Sequence, residues 1–173
     1  RRSVVVQMAL AYQQPSGLSF VADSLGLMLS GRAHSHGDLP PGRAWRVAMG
    51  LSCATYLLPA LIWQRWARPG MAALFVLVTI CSTLSDAVRF DRNIVRSVDR
   101  VVGAVALSSS CVINSTTAAN TMLCIGAVAT SLWWLQASRA ATGKPQYLLI
   151  HCIWHLWGAL AVCIVTEFVQ QQQ

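Results

Sequence analysis

The sequence predicts an all-α protein: a polytopic membrane helix bundle of about five transmembrane helices with an N-terminal interfacial segment. Three observations lead there. Of the 173 residues, 55% are hydrophobic and only 11% charged, against about 25% charged in a soluble domain. Several apolar stretches reach the roughly 20 residues that a helix rising about 1.5 Å per residue needs to cross hydrocarbon about 30 Å thick. Inside that layer exposed backbone finds no water, so each span satisfies its own hydrogen bonds as a helix.

Residues 1–42 form an interfacial and loop segment, and 43–173 the transmembrane domain. The opening RRSVVVQMALAYQQPSG joins basic residues to a short apolar run broken by Gln7, Gln13 and Gln14. It offers no clean cleavage site, and a start at Arg1 reads as a processed or truncated terminus. LSFVADSLGLMLSG (18–31) is apolar but short and holds Asp23, which suits an interfacial or re-entrant helix. GRAHSHGDLPPGR (31–43) is a loop by its glycines and paired prolines, and His34 and His36 read as solvated loop residues.

The first span covers 44–66 and sets Trp45, Trp63 and Trp66 near its ends, where amphipathic rings favour the headgroup level. RPG (68–70) turns the chain into a second span over 71–88. RFDRNIVRSVDR (89–100) is a charged connection whose later part begins a third span ending near 113. NSTT (114–117) is a polar turn, the fourth span covers 118–137, SRAATGKPQ (138–146) is the last loop, and the fifth span covers 147–169. The small residues of these spans suit close helix contacts.

Basic residues sort by side. Arg32, Arg43, Arg46, Arg89, Arg92, Arg96, Arg100, Arg139 and Lys144 fall on one face of a five-span bundle, and only Arg65 and Arg68 on the other. The positive-inside rule puts the first face, with the N-terminal side, in the cytosol or its organellar equivalent, and the C-terminus opposite. The formal charge of +7 is thus topological. Basic residues scattered between apolar spans form no nucleic-acid-binding stripe. The six cysteines, without a CxxC pair, read as small apolar fillers.

Ionisable groups within spans cost at least about 2.5–3.5 kcal/mol at the helix centre and therefore invite a functional explanation. Ser82, Ser85 and Asp86 lie near the end of the second span, Asp99 opens the third, and His151 and His155 open the fifth. All three ends fall on the basic side. Residues four apart share a helix face, so His151 points with His155 and Ser82 with Asp86. Two imidazoles one turn apart and a carboxylate are a ligand set that zinc accepts. The blander alternatives are ion pairs of Asp99 with Arg96 or Arg100 and of Asp86 with Arg89, and packing or interfacial roles for Trp154 and Trp157.

STLSDAVRF (82–90), RSVDRVVGAVAL (96–107) and YLLIHCIWHLWGALAV (147–162) resemble, in order, three motifs of the CREST superfamily of membrane hydrolases. That group includes alkaline ceramidases, the progestin and adipoQ receptors with their haemolysin III relatives, and myomaker-like proteins. The resemblance implies a zinc ion held by three histidines, with a serine and an aspartate completing a site that hydrolyses lipid amides. Position by position, it makes His151 and His155 metal ligands, Asp99 and Ser82 the catalytic pair, and Asp86 the third ligand in place of the family's histidine. The family has seven spans, whereas here His151 follows Asp99 by only 52 positions, so two spans are missing between the motifs.

The expected function is therefore zinc-dependent hydrolysis of a lipid amide or ester, with membrane lipids as partners. The alternative is a non-catalytic structural subunit of a larger membrane complex, photosynthetic or respiratory. There His151 or His155 would be an axial ligand to chlorophyll or haem, although two imidazoles one turn apart suit a single metal ion better.

Overall fold

The computed structural model describes residues 42–88, 93–141 and 143–173, and all regular structure among them is helical. The segment 1–41, with its expected interfacial helix and its histidines, lies outside the described residues, as does Arg89. In chain order the elements are α1 (Arg43–Ala54), α2 (Leu57–Arg65), α3 (Pro69–Ser82), a π-helical turn (Thr83–Val88) that continues α3, α4 (Asn93–Asn114), α5 (Ala118–Arg139) and α6 (Lys144–Gln170). Four stretches are long and apolar enough to cross a membrane: Arg43–Arg65, Pro69–Val88, Ala118–Arg139 and Lys144–Gln170.

The expected third span, α4, matches the others in length at 22 residues but differs in character. Arg96, Asp99 and Arg100 line an internal cavity, while Val98, Val101, Val105 and Val112 face outward. Those valines recur at helical spacing, so α4 shows its apolar face to the surroundings and its polar face to the bundle, the reverse of a soluble amphipathic helix.

The first span is not one helix. Pro59 has no backbone N–H, and its ring crowds the carbonyl four residues earlier, that of Thr55. Around that point the ladder tightens to three-residue spacing: Thr55 N–H to Ser52 O and Tyr56 N–H to Cys53 O at 3.2 Å, and Leu58 N–H to Thr55 O at 3.0 Å. Helix α1 ends and α2 begins there, and Cys53 and Tyr56 sit beside the break.

Helix α6 is the central element. Leu148, His151, His155, Ala159, Val162, Thr166 and Val169 are all buried and step by three or four residues, a single seam along the helix. The histidine pair thus occupies positions that elsewhere on the seam hold apolar or small side chains. Helix α6 begins at Lys144, so the histidines lie two and three turns inside it rather than opening it. The main apolar cluster joins Ala60, Trp63, Met71, Ala72, Phe75, Val78, Ala106 and Val162. Trp63, expected at the headgroup level, is 0% exposed within this cluster. The turn after α2 brings α3 back alongside it, and that packing covers the ring. At the end of the bundle remote from the histidines, Asn114 Nδ2 donates to Thr166 Oγ1 at 3.0 Å, tying α4 to α6.

Truncating a fully buried aromatic costs about 3–5 kcal/mol. Trp63→Ala is expected to lower the unfolding midpoint in an SDS titration far more than Trp66→Ala, whose ring is only partly buried.

Candidate metal centre

The local irregularity of the third element shapes the site. In an α-helix Ser85 and Asp86 would point about 100° apart. Within the π turn both are buried, with Ser85 at 0% and Asp86 at 7% exposure. Such turns are frequent at functional sites. Ser85 Oγ donates to Asp86 Oδ1 at 3.0 Å, leaving Oδ2 for other partners.

Those partners are the two imidazoles of α6. Asp86 Oδ2 lies 3.0 Å from His151 Nε2 and 3.2 Å from His155 Nε2, and the two Nε2 atoms are 3.1 Å apart. The three atoms form a nearly equilateral triangle. A carboxylate oxygen only accepts, and a neutral imidazole has one donor and one acceptor nitrogen. With hydrogen on both Nε2 atoms, both imidazoles can donate to Asp86 Oδ2, with the two hydrogens side by side along the Nε2 to Nε2 edge. With hydrogen on neither, three lone pairs would repel one another. The Nδ1 atoms of both histidines are buried without a hydrogen-bond partner among the described residues, and the Cys53 side chain interacts with His155.

The sequence did not single out Cys53. One donor atom each from Cys53, Asp86 and His155 lies within 4.8 Å of the others, and this buried group can hold a metal ion. Cys53 belongs to the last turn of α1, where the Pro59 break leaves Thr55 Oγ1 within 3.5 Å of the His155 carbonyl oxygen. A lone cysteine in a span carries no local signal of such a role. Aromatic rings enclose the pair: Tyr56 lies 5.6 Å from the His155 ring, Tyr147 lies 5.3 Å from His151, and Trp154 lies 5.0 and 4.9 Å from His151 and His155. Gly158 makes room for Tyr56, since a Cβ there would stand 3.2 Å from the tyrosine oxygen.

Ser82 and Asp86, expected to point the same way, line one cavity but take different partners. Ser82 Oγ donates to Asp99 Oδ1 at 2.5 Å, and the charge of Arg100 acts on Asp99 as well. Ser82, Asp86, Asp99 and His151 face one cavity of about 100 Å³, whereas His155 and Cys53 sit behind its wall. The cavity runs along the helices. Down α4 its lining passes from Arg96 through Asp99 and Arg100 to Gly103, Ala106 and Leu107, and down α6 from Tyr147 through His151 to Val162. One end is basic, with Arg139 of α5 added; the middle is carboxylate and imidazole; the far end is apolar, with Phe75 and Val78.

No family model, curated protein or solved structure matches this chain.

A hydrogen bond to a charged group contributes about 1.5–3 kcal/mol. Ser82 gives Asp99 such a bond, whereas Asp86 has imidazole neighbours besides Ser85. Thermal unfolding in neutral detergent is expected to show Ser82→Ala as more destabilising than Ser85→Ala.

Proposed function

We propose that this chain is a membrane metalloprotein that hydrolyses a lipid amide or ester, with zinc held by Asp86, His151 and His155. The observation that supports it is the triangle of Oδ2 and two Nε2 atoms, 3.0–3.2 Å on a side, set on the wall of an amphiphilic cavity. Tetrahedral zinc with bonds of about 2.0–2.2 Å keeps its nitrogen and oxygen ligands roughly 3.3–3.5 Å apart. The donors stand within a few tenths of an ångström of that spacing, so the residues fit the ion. Two imidazoles and a carboxylate form the kind of three-ligand set that leaves a position open for chemistry. Zinc so held supplies Lewis-acid polarisation of a carbonyl and makes a bound water acidic near neutral pH.

The chain's own groups do the rest. Asp99 faces the same cavity as Asp86 and takes up the proton of the attacking water. Ser82, whose hydroxyl is committed to Asp99, positions that carboxylate rather than the substrate. As the C–N or C–O bond breaks, Asp99 returns that proton to the leaving amine or alkoxide, while Phe75, Val78 and Val162 line the far, apolar end of the cavity towards the acyl chain. The three motifs that resemble CREST hydrolases point to the same chemistry, with Asp86 as the substitute ligand. The basic mouth faces the side that the positive-inside rule gives to the cytosol or its equivalent.

Cys53 favours a second reading. It forms a buried donor group with Asp86 and His155, and a centre that Cys53 helped to close would be structural, as in a non-catalytic subunit of a membrane complex. An axial role towards chlorophyll or haem gains less support, because both Nε2 atoms are directed at Asp86.

Elemental analysis of the detergent-purified chain is expected to find about one zinc per chain, lost in Asp86→Ala and in His151→Ala. The catalytic reading expects Cys53→Ser to keep the metal; the structural reading expects it to be lost. Release of fatty acid from ceramide-like substrates is expected to fall by about 10²–10⁴ in Asp99→Asn with zinc content unchanged. Wild-type protein without metal would refute both readings.

A further inference from the structure

Hydrolysis at a centre of Asp86, His151 and His155 leaves Cys53 without a task. The thiol comes from the last turn of α1, the carboxylate of Asp86 from the π turn and the imidazole of His155 from α6, and all three residues are buried. One donor atom from each lies within 4.8 Å of the others, and His151 is not a member of that group. Two ligand sets therefore overlap. Both contain Asp86 and His155; His151 completes one and Cys53 the other. Of the two completing residues, His151 lines the cavity and Cys53 stands behind its wall. The other five cysteines belong to no such group among the described residues.

The sets differ in chemistry as well as in place. Two imidazoles and a carboxylate suit zinc, and their spacing of 3.0–3.2 Å suits a small ion. Exchanging one imidazole for a thiol makes the set softer, and thiolate ligands select soft ions such as copper(I). The 4.8 Å limit of the Cys53 group leaves room for the longer bonds of a larger ion. We propose that Cys53, Asp86 and His155 form a second metal position, selective for a thiophilic cation of the copper(I) or cadmium type, whose occupation displaces zinc from the first. An ion at either position draws on Asp86 and His155, so filling one strips the other of two of its three ligands. An ion arriving through the cavity meets His151 first and passes to Cys53 while Asp86 and His155 keep hold of it. Cys53 binds it as the thiolate and gives its proton to solvent. Displacement rests on the zinc reading of this centre; the soft-metal position does not.

The test adds cadmium chloride to the full chain in neutral detergent. It follows thiolate-to-cadmium charge transfer by ultraviolet difference absorption, together with the metal content of the protein. Wild type is expected to gain the band and to release its zinc in step. Cys53→Ser is expected to lose the band and to bind cadmium more weakly, by at least the roughly 10–100-fold that loss of an outer-shell partner costs a metal site. His151→Ala, expected to hold no zinc, is expected to keep the band. Cys53→Ala removes the donor altogether and carries the test if the serine variant does not fold. A band undiminished without Cys53, cadmium uptake that leaves bound zinc in place, or folded His151→Ala protein that takes up no cadmium would each overturn the proposal. Wild type that holds no zinc yet gains the Cys53-dependent band rejects the zinc reading alone. Zinc-loaded wild type whose band does not depend on Cys53 rejects this proposal alone.

Discussion

Three electron-pair donors in mutual contact within an apolar bundle are the constraint on which the rest of this structure turns. Asp86 Oδ2 and the two Nε2 atoms stand 3.0–3.2 Å apart, close enough that whatever lies between them, proton or cation, must balance their repulsion. Low dielectric strengthens every such interaction and makes each unpaired member expensive. The surrounding architecture holds the triangle closed: α6 is centred in the bundle, the π turn aims Asp86 at it, and Tyr56, Tyr147 and Trp154 exclude solvent from the imidazoles.

Two irregular stretches of backbone within the described spans lie at this site. The break at Pro59 and the π turn at Thr83–Val88 each interrupt a span that would otherwise be regular. Non-helical backbone at membrane depth is tolerated where it faces protein or a cavity rather than lipid. Here one irregularity brings Cys53 and Tyr56 to His155, and the other brings Ser85 and Asp86 inward together. Gly158 serves the same end, since it leaves the space that the Tyr56 ring occupies.

Polarity inside and apolarity outside organise the remainder. Val98, Val101 and Val105 face outward from α4 while Arg96 is buried, and the cavity grades from guanidinium through carboxylate and imidazole to hydrocarbon. At the opposite end Asn114, Thr166 and Gln170 form a separate buried polar cluster. Hydrogen bonds of this kind between membrane helices contribute about 0.6–1.7 kcal/mol each. The bundle therefore has a polar fastening at one end and a polar chamber at the other.

Much of this was written in the order of residues. Apolar length gave four of the five expected spans to within a few positions, though not the break inside the first, and four-residue spacing put His151 with His155, because those signals are local and repeat along one element. The carboxylates were legible as costly intramembrane groups, yet their partners were not. Whether Asp86 meets Arg89, Ser82 or a histidine depends on the rotation of one helix against another, and a π turn of one extra residue changes that rotation without a distinctive sequence. Cys53 joined the site beside the break that Pro59 makes in the first span, and Trp63 is covered because α3 folds back over it. Composition and periodicity determined which groups would be buried; packing of side chains between non-adjacent helices decided what each of them touches.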